Sequence, residues 1–116
     1  MTRIPLVLLS LTLLPIGVNA QVPLKEFDRF KGDSSFKHFI EGVGTGLLIA
    51  NVELDRRKSP LLYCQPPKLS LNADAYMTIL AKRVRKLETE APASTPLELI
   101  LLEGLQETFP CLQQRR

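Results

Sequence analysis

Thr95-Pro96-Leu97-Glu98-Leu99-Ile100-Leu101-Leu102-Glu103-Gly104-Leu105-Gln106-Glu107-Thr108-Phe109-Pro110-Cys111 is the stretch that decides the fold. Leu97, Leu99, Ile100, Leu101, Leu102, Leu105 and Phe109 cover most of a helical circumference and leave Glu103, Gln106 and Glu107 as a narrow polar stripe. A helix apolar nearly all round is the central helix of a core, or one that also feeds an oligomer contact. Thr95 reads as its cap, Pro96 as its first helical residue and Glu98 as the third member of a capping box. Pro110 stops the helix, and Cys111 follows at once.

The helix before it shows one apolar face. Stepping about 100° per residue from Lys82, residues Ala73, Tyr76, Met77, Leu80, Val84 and Leu87 fall within roughly 120° to 220°, while Lys82, Arg85 and Lys86 gather near 0°. This segment is expected from Ser70 to about Glu88, capped by Ser70 or Asn72 after Pro66-Pro67. Ile79 lies near 60° on that wheel, off the apolar stripe, and reads as an exposed apolar residue.

Further back, Asp33 and Ser34 offer a cap for a long helix to about Asp55, with Phe36, Phe39, Ile40, Val43, Leu47, Leu48 and Val52 near helical spacing. Arg56, Arg57 and Lys58 complement the dipole at its end, and Ser59-Pro60 stops it. Gly42, Gly44 and Gly46 do not form a phosphate loop, because no strand precedes them and the G-x-G-x-x-G spacing is absent. Gly42 and Gly46, four residues apart on one face, suit a close helix approach; a backbone that contacts a ligand is the alternative. Leu24, Phe27 and Phe30 mark a short opening helix or turn that ends at Gly32. The expected fold is thus all-α: a small bundle of about four helices over residues 21–116, stapled by one disulfide.

Met1 to Ala20 has the layout of a secretory signal peptide. Arg3 is followed by the apolar run Leu6 to Leu14, the breakers Pro15 and Gly17, and the small-residue exit Val18-Asn19-Ala20. The expected cleavage after Ala20 frees a chain starting at Gln21 in the periplasm, with no stable membrane anchor: the apolar run is shorter than the roughly 20 residues of a span. Of the 15 basic residues only Arg3 is lost, against 12 acidic residues retained. That small positive balance offers no concentrated basic footprint for nucleic acid.

A domain of this size buries only about 60 to 65% of its unfolded surface, so a covalent staple helps it. Cys64 and Cys111 are the only cysteines, in an oxidising destination, and are expected to pair across 47 residues of chain. Loop-closure entropy values such a link at about 4 kcal/mol, a large share of a total stability of about 5 to 10 kcal/mol. A catalytic or redox thiol has no support from C-x-x-C spacing or an adjacent His, and an intermolecular bridge is the other competing role.

No catalytic constellation emerges. His38, the single histidine, lies on the long helix near Glu41 and reads as a surface residue. Glu98, Glu103 and Glu107 are explained by capping and solvation. No set of three or four metal ligands, no cofactor site and no nucleophile-base pair is legible, so no enzyme is expected.

Tyr63-Cys64-Gln65-Pro66-Pro67, then Leu69-Ser70-Leu71, a helix from Ala75 to Lys86, a Pro-containing joint and the run Leu99 to Phe109-Pro110-Cys111 together resemble the Rap/Tai type of periplasmic immunity protein. Phe39-Ile40-Glu41-Gly42-Val43 is similar to that family's aromatic-x-x-Gly-Val helix, and the likeness covers about Ser34 to Cys111. Phe36 marks a departure, since such proteins often carry a further Cys just before that aromatic. The resemblance implies an all-helical, often dimeric protein that binds and blocks a peptidoglycan amidase delivered by type VI secretion, without catalytic residues of its own. A small periplasmic stress chaperone is the alternative, and a structural envelope protein the next.

Two surfaces are candidates for docking such a partner by steric occlusion. One is the joint after the long helix, with Arg56, Arg57, Lys58, Leu61, Leu62 and Tyr63; Tyr63 and Arg57 are the expected hot spots. The other is the basic face with Lys82, Arg85 and Lys86, flanked by Ile79.

Overall fold

The computed structural model describes residues 21–87 and 89–112. The expected signal peptide and the Gln113 to Arg116 tail lie outside the described residues. A 3-10 turn at Leu24–Glu26 runs into α1, Phe27–Phe30, followed by α2, Ser34–Arg56; α3, Ala73–Leu87; and α4, Leu97–Thr108. Among the described residues there is no strand, only an isolated antiparallel bridge between Pro23 and Pro96. The chain is a small all-α bundle, and the Cys64–Cys111 disulfide closes it with Cα atoms 5.0 Å apart.

α2 starts where the sequence placed it. Asp33 has extended dihedrals, and its carboxylate accepts from Ser35 N at 2.7 Å, supplying one of the hydrogen bonds that a helix start lacks. The other end is a Schellman turn: Ser59 N donates to Leu54 O and Lys58 N to Asp55 O, both at 2.9 Å. Lys58 sits in the left-handed region at φ 54°, a position that usually falls to glycine. The helix therefore ends at Arg56 through this turn, whose left-handed residue Lys58 immediately precedes Ser59-Pro60.

α3 begins at Ala73, three residues later than Ser70, because Asn72 is the cap: its Oδ1 accepts from Ala75 N at 2.8 Å. Ala73, Tyr76, Leu80 and Val84 are buried along its inner face, with Met77 and Leu87 partly buried beside them, as the helical wheel required. α3 packs against both α2 and α4, so more than one stripe of its surface is covered. Ile79 is a correction on this point. It is partly buried in the α3–α4 contact, where a Cβ on Gly104 would stand 2.9 Å from Ile79 Cγ2.

α4 is the central helix, with Leu97, Ile100, Leu101 and Leu105 fully buried. Its expected capping box does not form. The helix starts at Leu97, Pro96 holds the cap position without a side-chain bond, and Thr95 Oγ1 donates instead to Pro92 O at 2.7 Å. The N-terminal strap explains the difference: Leu97 N donates to Val22 O and Leu24 N to Thr95 O, both at 2.8 Å. The strap thus satisfies a helix-start donor through its own backbone.

The glycines of α2 divide differently from the expected pair. Gly42 and Gly46 face open space, whereas Gly44 is buried against the Tyr76 ring, whose Cδ1 and Cζ would lie 2.6 Å from an added Cβ. The close approach of α2 and α3 runs through Gly44. Phe39 and Val52, expected among the apolar positions of the α2 face, are 37% and 59% exposed, and Ile49 is 62% exposed on the same helix.

Candidate docking cleft

Between the second half of α2 and the joint that follows it lies a cleft of about 490 Å³. Leu48, Asn51, Val52 and Asp55 form its helical wall, and Leu61, Tyr63, Gln65 and Leu69, with Pro66 and Pro67, form the other. The joint is irregular backbone, yet it is fixed from three sides. Asn51, buried on α2, donates from Nδ2 to Tyr63 O at 2.8 Å and accepts from Leu62 N at 2.7 Å. From α4, Gln106 Nε2 donates to Leu62 O at 3.1 Å, and Cys64 N donates to Phe109 O at 2.8 Å next to the disulfide.

This anchoring corrects the expected docking residues. Tyr63 is 1% exposed and belongs to the core, so its side chain is unavailable as a hot spot. Leu62 is half-buried against the same core. A tyrosine set among charges and prolines reads as exposed; the inward pull of Asn51 and the disulfide is a long-range effect that local spacing does not reveal. Burial, reinforced by charge repulsion from Tyr76, pushes the Tyr63 hydroxyl up to about 12, and that hydroxyl has no hydrogen-bond partner among the described residues.

Leu61 is half-buried, while Arg56, Arg57 and Lys58 are exposed beyond the end of α2. Arg56 and Arg57 both bond Glu53: Arg56 through Nε at 2.9 Å and Nη2 at 2.7 Å, Arg57 through Nε at 2.7 Å. These guanidinium groups hold the Glu53 carboxyl below its ordinary range, Arg56 exerting the larger effect. Their charge is partly neutralised in place, whereas Lys58 makes no ion pair among the described residues.

The basic face of α3 is likewise smaller than the wheel suggests. Lys86 pairs with Glu107, and Arg83, absent from the expected set, bridges Glu103 and Glu107 at 3.3 Å each. This network joins α3 to α4. Lys82 and Arg85 are exposed and make no ion pair among the described residues. His38 is exposed, 3.9 Å from Glu41. Among the described residues no three His, Cys, Asp or Glu side chains converge as a metal site would require, and both cysteines are oxidised.

What the structure defines is a disulfide-stapled helical bundle with a fixed, apolar-walled cleft beside its staple. No helix among the described residues is long and apolar enough to cross a membrane. No family model, curated protein or solved structure matches the chain.

Proposed function

We propose that this chain is an exported, periplasmic immunity protein of the Rap/Tai type that binds a peptidoglycan amidase effector and blocks it sterically. The observation that carries the reading is the cleft itself: a concave surface held open by Asn51, Gln106 and the disulfide, with half-exposed aliphatic side chains at its rim. A preordered surface of this kind suits protein binding, because little conformational entropy is lost when a partner arrives. The segments that carry the family resemblance, Tyr63 to Pro67 and Leu99 to Cys111, flank this cleft and its staple.

In this mechanism the joint lies over the amidase cleft and excludes peptidoglycan, and no bond changes in either protein. Val52, Leu61 and Leu69 supply apolar contact, while Arg56, Arg57 and Lys58 sit at the edge. Lys82 and Arg85 act at longer range, where exposed charges mainly govern the association rate. Co-expression in the periplasm with the small Cys-His amidase expected from the neighbouring reading frame tests the reading. Cells should survive with the intact chain; undiminished lysis contradicts it.

A further inference from the structure

We propose that removal of the signal peptide makes Gln21 the first residue, and that its side-chain amide then closes on its own α-amine to leave an N-terminal pyroglutamate. The inference rests on the export part of the reading above, not on the partner or on inhibition.

The step is an intramolecular transamidation. Cleavage of the Ala20–Gln21 bond frees an α-amino group, which titrates at about 8 and so has a neutral, nucleophilic share at neutral pH. Its nitrogen bonds to Gln21 Cδ, the Cδ–Nε2 bond breaks, and Nε2 leaves as ammonia with a proton given up by the amine. Oε1 stays as the lactam oxygen. Nothing is oxidised or reduced, and no co-reactant is consumed. Nucleophile and carbonyl belong to one residue, so the attack is unimolecular from the outset.

The structure leaves these atoms available. Gln21 is exposed and makes no hydrogen bond among the described residues. It borders a hollow of about 230 Å³ with Pro23, Lys25 and Ser94, which gives its side chain room to fold back. The strap is fastened only from the next residue onward: Val22 O accepts from Leu97 N at 2.8 Å, Leu24 N donates to Thr95 O at 2.8 Å, and Lys25 N donates to Ala93 O at 3.1 Å. Cyclisation consumes the free hydrogens of the Gln21 nitrogen and its side-chain amide, and neither holds the strap to α4. The ring can therefore close with the strap in place.

Lys25 is the only charged residue lining the hollow. Replacing a terminal ammonium by a neutral lactam removes a like charge beside it, a small gain between groups that solvent and salt screen. The product is an uncharged, blocked chain end that leads directly into the segment satisfying the first N–H of α4.

The test uses the full chain expressed with its own leader and isolated from the periplasm without reductant. Its intact mass is measured at once and again after incubation for days at neutral pH. The mass should be that of residues 21–116 with the disulfide closed, less one ammonia, and Edman degradation should be blocked. Gln21→Ser has no side-chain amide to close, so it should lose no ammonia and give a readable amino terminus. An aminopeptidase should release the first residue of that variant and nothing from the parent.

A chain that starts at Gln21 but keeps its ammonia and a readable Gln-Val-Pro start throughout overturns the proposal and leaves export standing. Equal ammonia loss from the Gln21→Ser chain also overturns it, since the loss then lies at an asparagine. A first residue other than Gln21 overturns it as well, and retention of Met1 removes the export reading with it.

Discussion

Asn51 of α2 holds Tyr63, twelve residues further along, by its main chain: Nδ2 donates to Tyr63 O at 2.8 Å while Oδ1 accepts from Leu62 N at 2.7 Å. One buried amide thus satisfies two backbone groups of a joint that has no secondary structure to satisfy them. Asn51→Leu is close in size but leaves both groups without a partner, and each buried unsatisfied group costs about 1 to 3 kcal/mol. A loss of about 2 to 4 kcal/mol is expected in urea denaturation, with the joint losing amide-exchange protection before the helices. A variant as stable as the parent contradicts this role for Asn51.

Gly44 and its two neighbours give a paired comparison. Gly44→Ala drives a methyl into the Tyr76 ring and should cost about 1 to 3 kcal/mol. Gly42→Ala and Gly46→Ala meet open space and should stabilise by up to about 1 kcal/mol through helix propensity. Thermal denaturation of the three variants decides the matter. Equal effects at all three positions would place the α2–α3 contact elsewhere.

How much of this was legible in the sequence differs by residue. Helical periodicity located the inner face of α3 and the core character of α4, because local spacing alone sets which side chains share a face. Gly44 was hidden by its neighbours: three glycines stand in one helix, and only the position of the Tyr76 ring picks the middle one. Ile79 lay off the apolar stripe, yet α3 contacts two helices, and Gly104 lets α4 approach that flank. Thr95 lost its cap to the strap at Val22 and Leu24, a pairing with residues roughly 70 positions away in sequence. The joint after α2 was marked by its mixed composition, but its tyrosine points inward because Asn51 and the Cys64–Cys111 link draw the chain against the core.

The staple should carry a measurable part of the stability as well as hold the joint in place. Closing 47 residues of chain removes loop entropy from the unfolded state, worth about 4 kcal/mol. Reduction, or the double change Cys64→Ser and Cys111→Ser, should lower the unfolding free energy by a few kcal/mol. Thiol titration of material purified without reductant should find none free. Two reactive thiols per chain would contradict the link.

Tyr63 predicts an alkaline limit. Burial lifts its hydroxyl from 10.0 to about 12, with Tyr76 adding repulsion, so the folded state favours the neutral phenol. Because the folded value lies above the unfolded one, the contribution is complete below about pH 10 and is lost as pH rises through about 12. Tyr63→Phe should remove this part of the decline. It should also stabilise the fold at neutral pH by about 1 kcal/mol, since a buried hydroxyl without a partner is deleted. Denaturation midpoints of the two proteins across that pH range provide the check, and parallel curves would show that Tyr63 is not the group responsible.

The most direct test of function is an inhibition titration: peptidoglycan hydrolysis by the neighbouring Cys-His amidase, followed as this chain is added, with binding measured in parallel by calorimetry. The intact chain should bind one-to-one and abolish hydrolysis at saturation. Val52→Asp together with Leu69→Asp should weaken both effects by about tenfold or more at unchanged helical content, as expected for the loss of an apolar anchor site. Charge reversal at Lys82 and Arg85 should slow association and alter its salt dependence while leaving the dissociation rate nearly unchanged. Full hydrolysis in the presence of excess folded, oxidised chain would contradict the proposed immunity function.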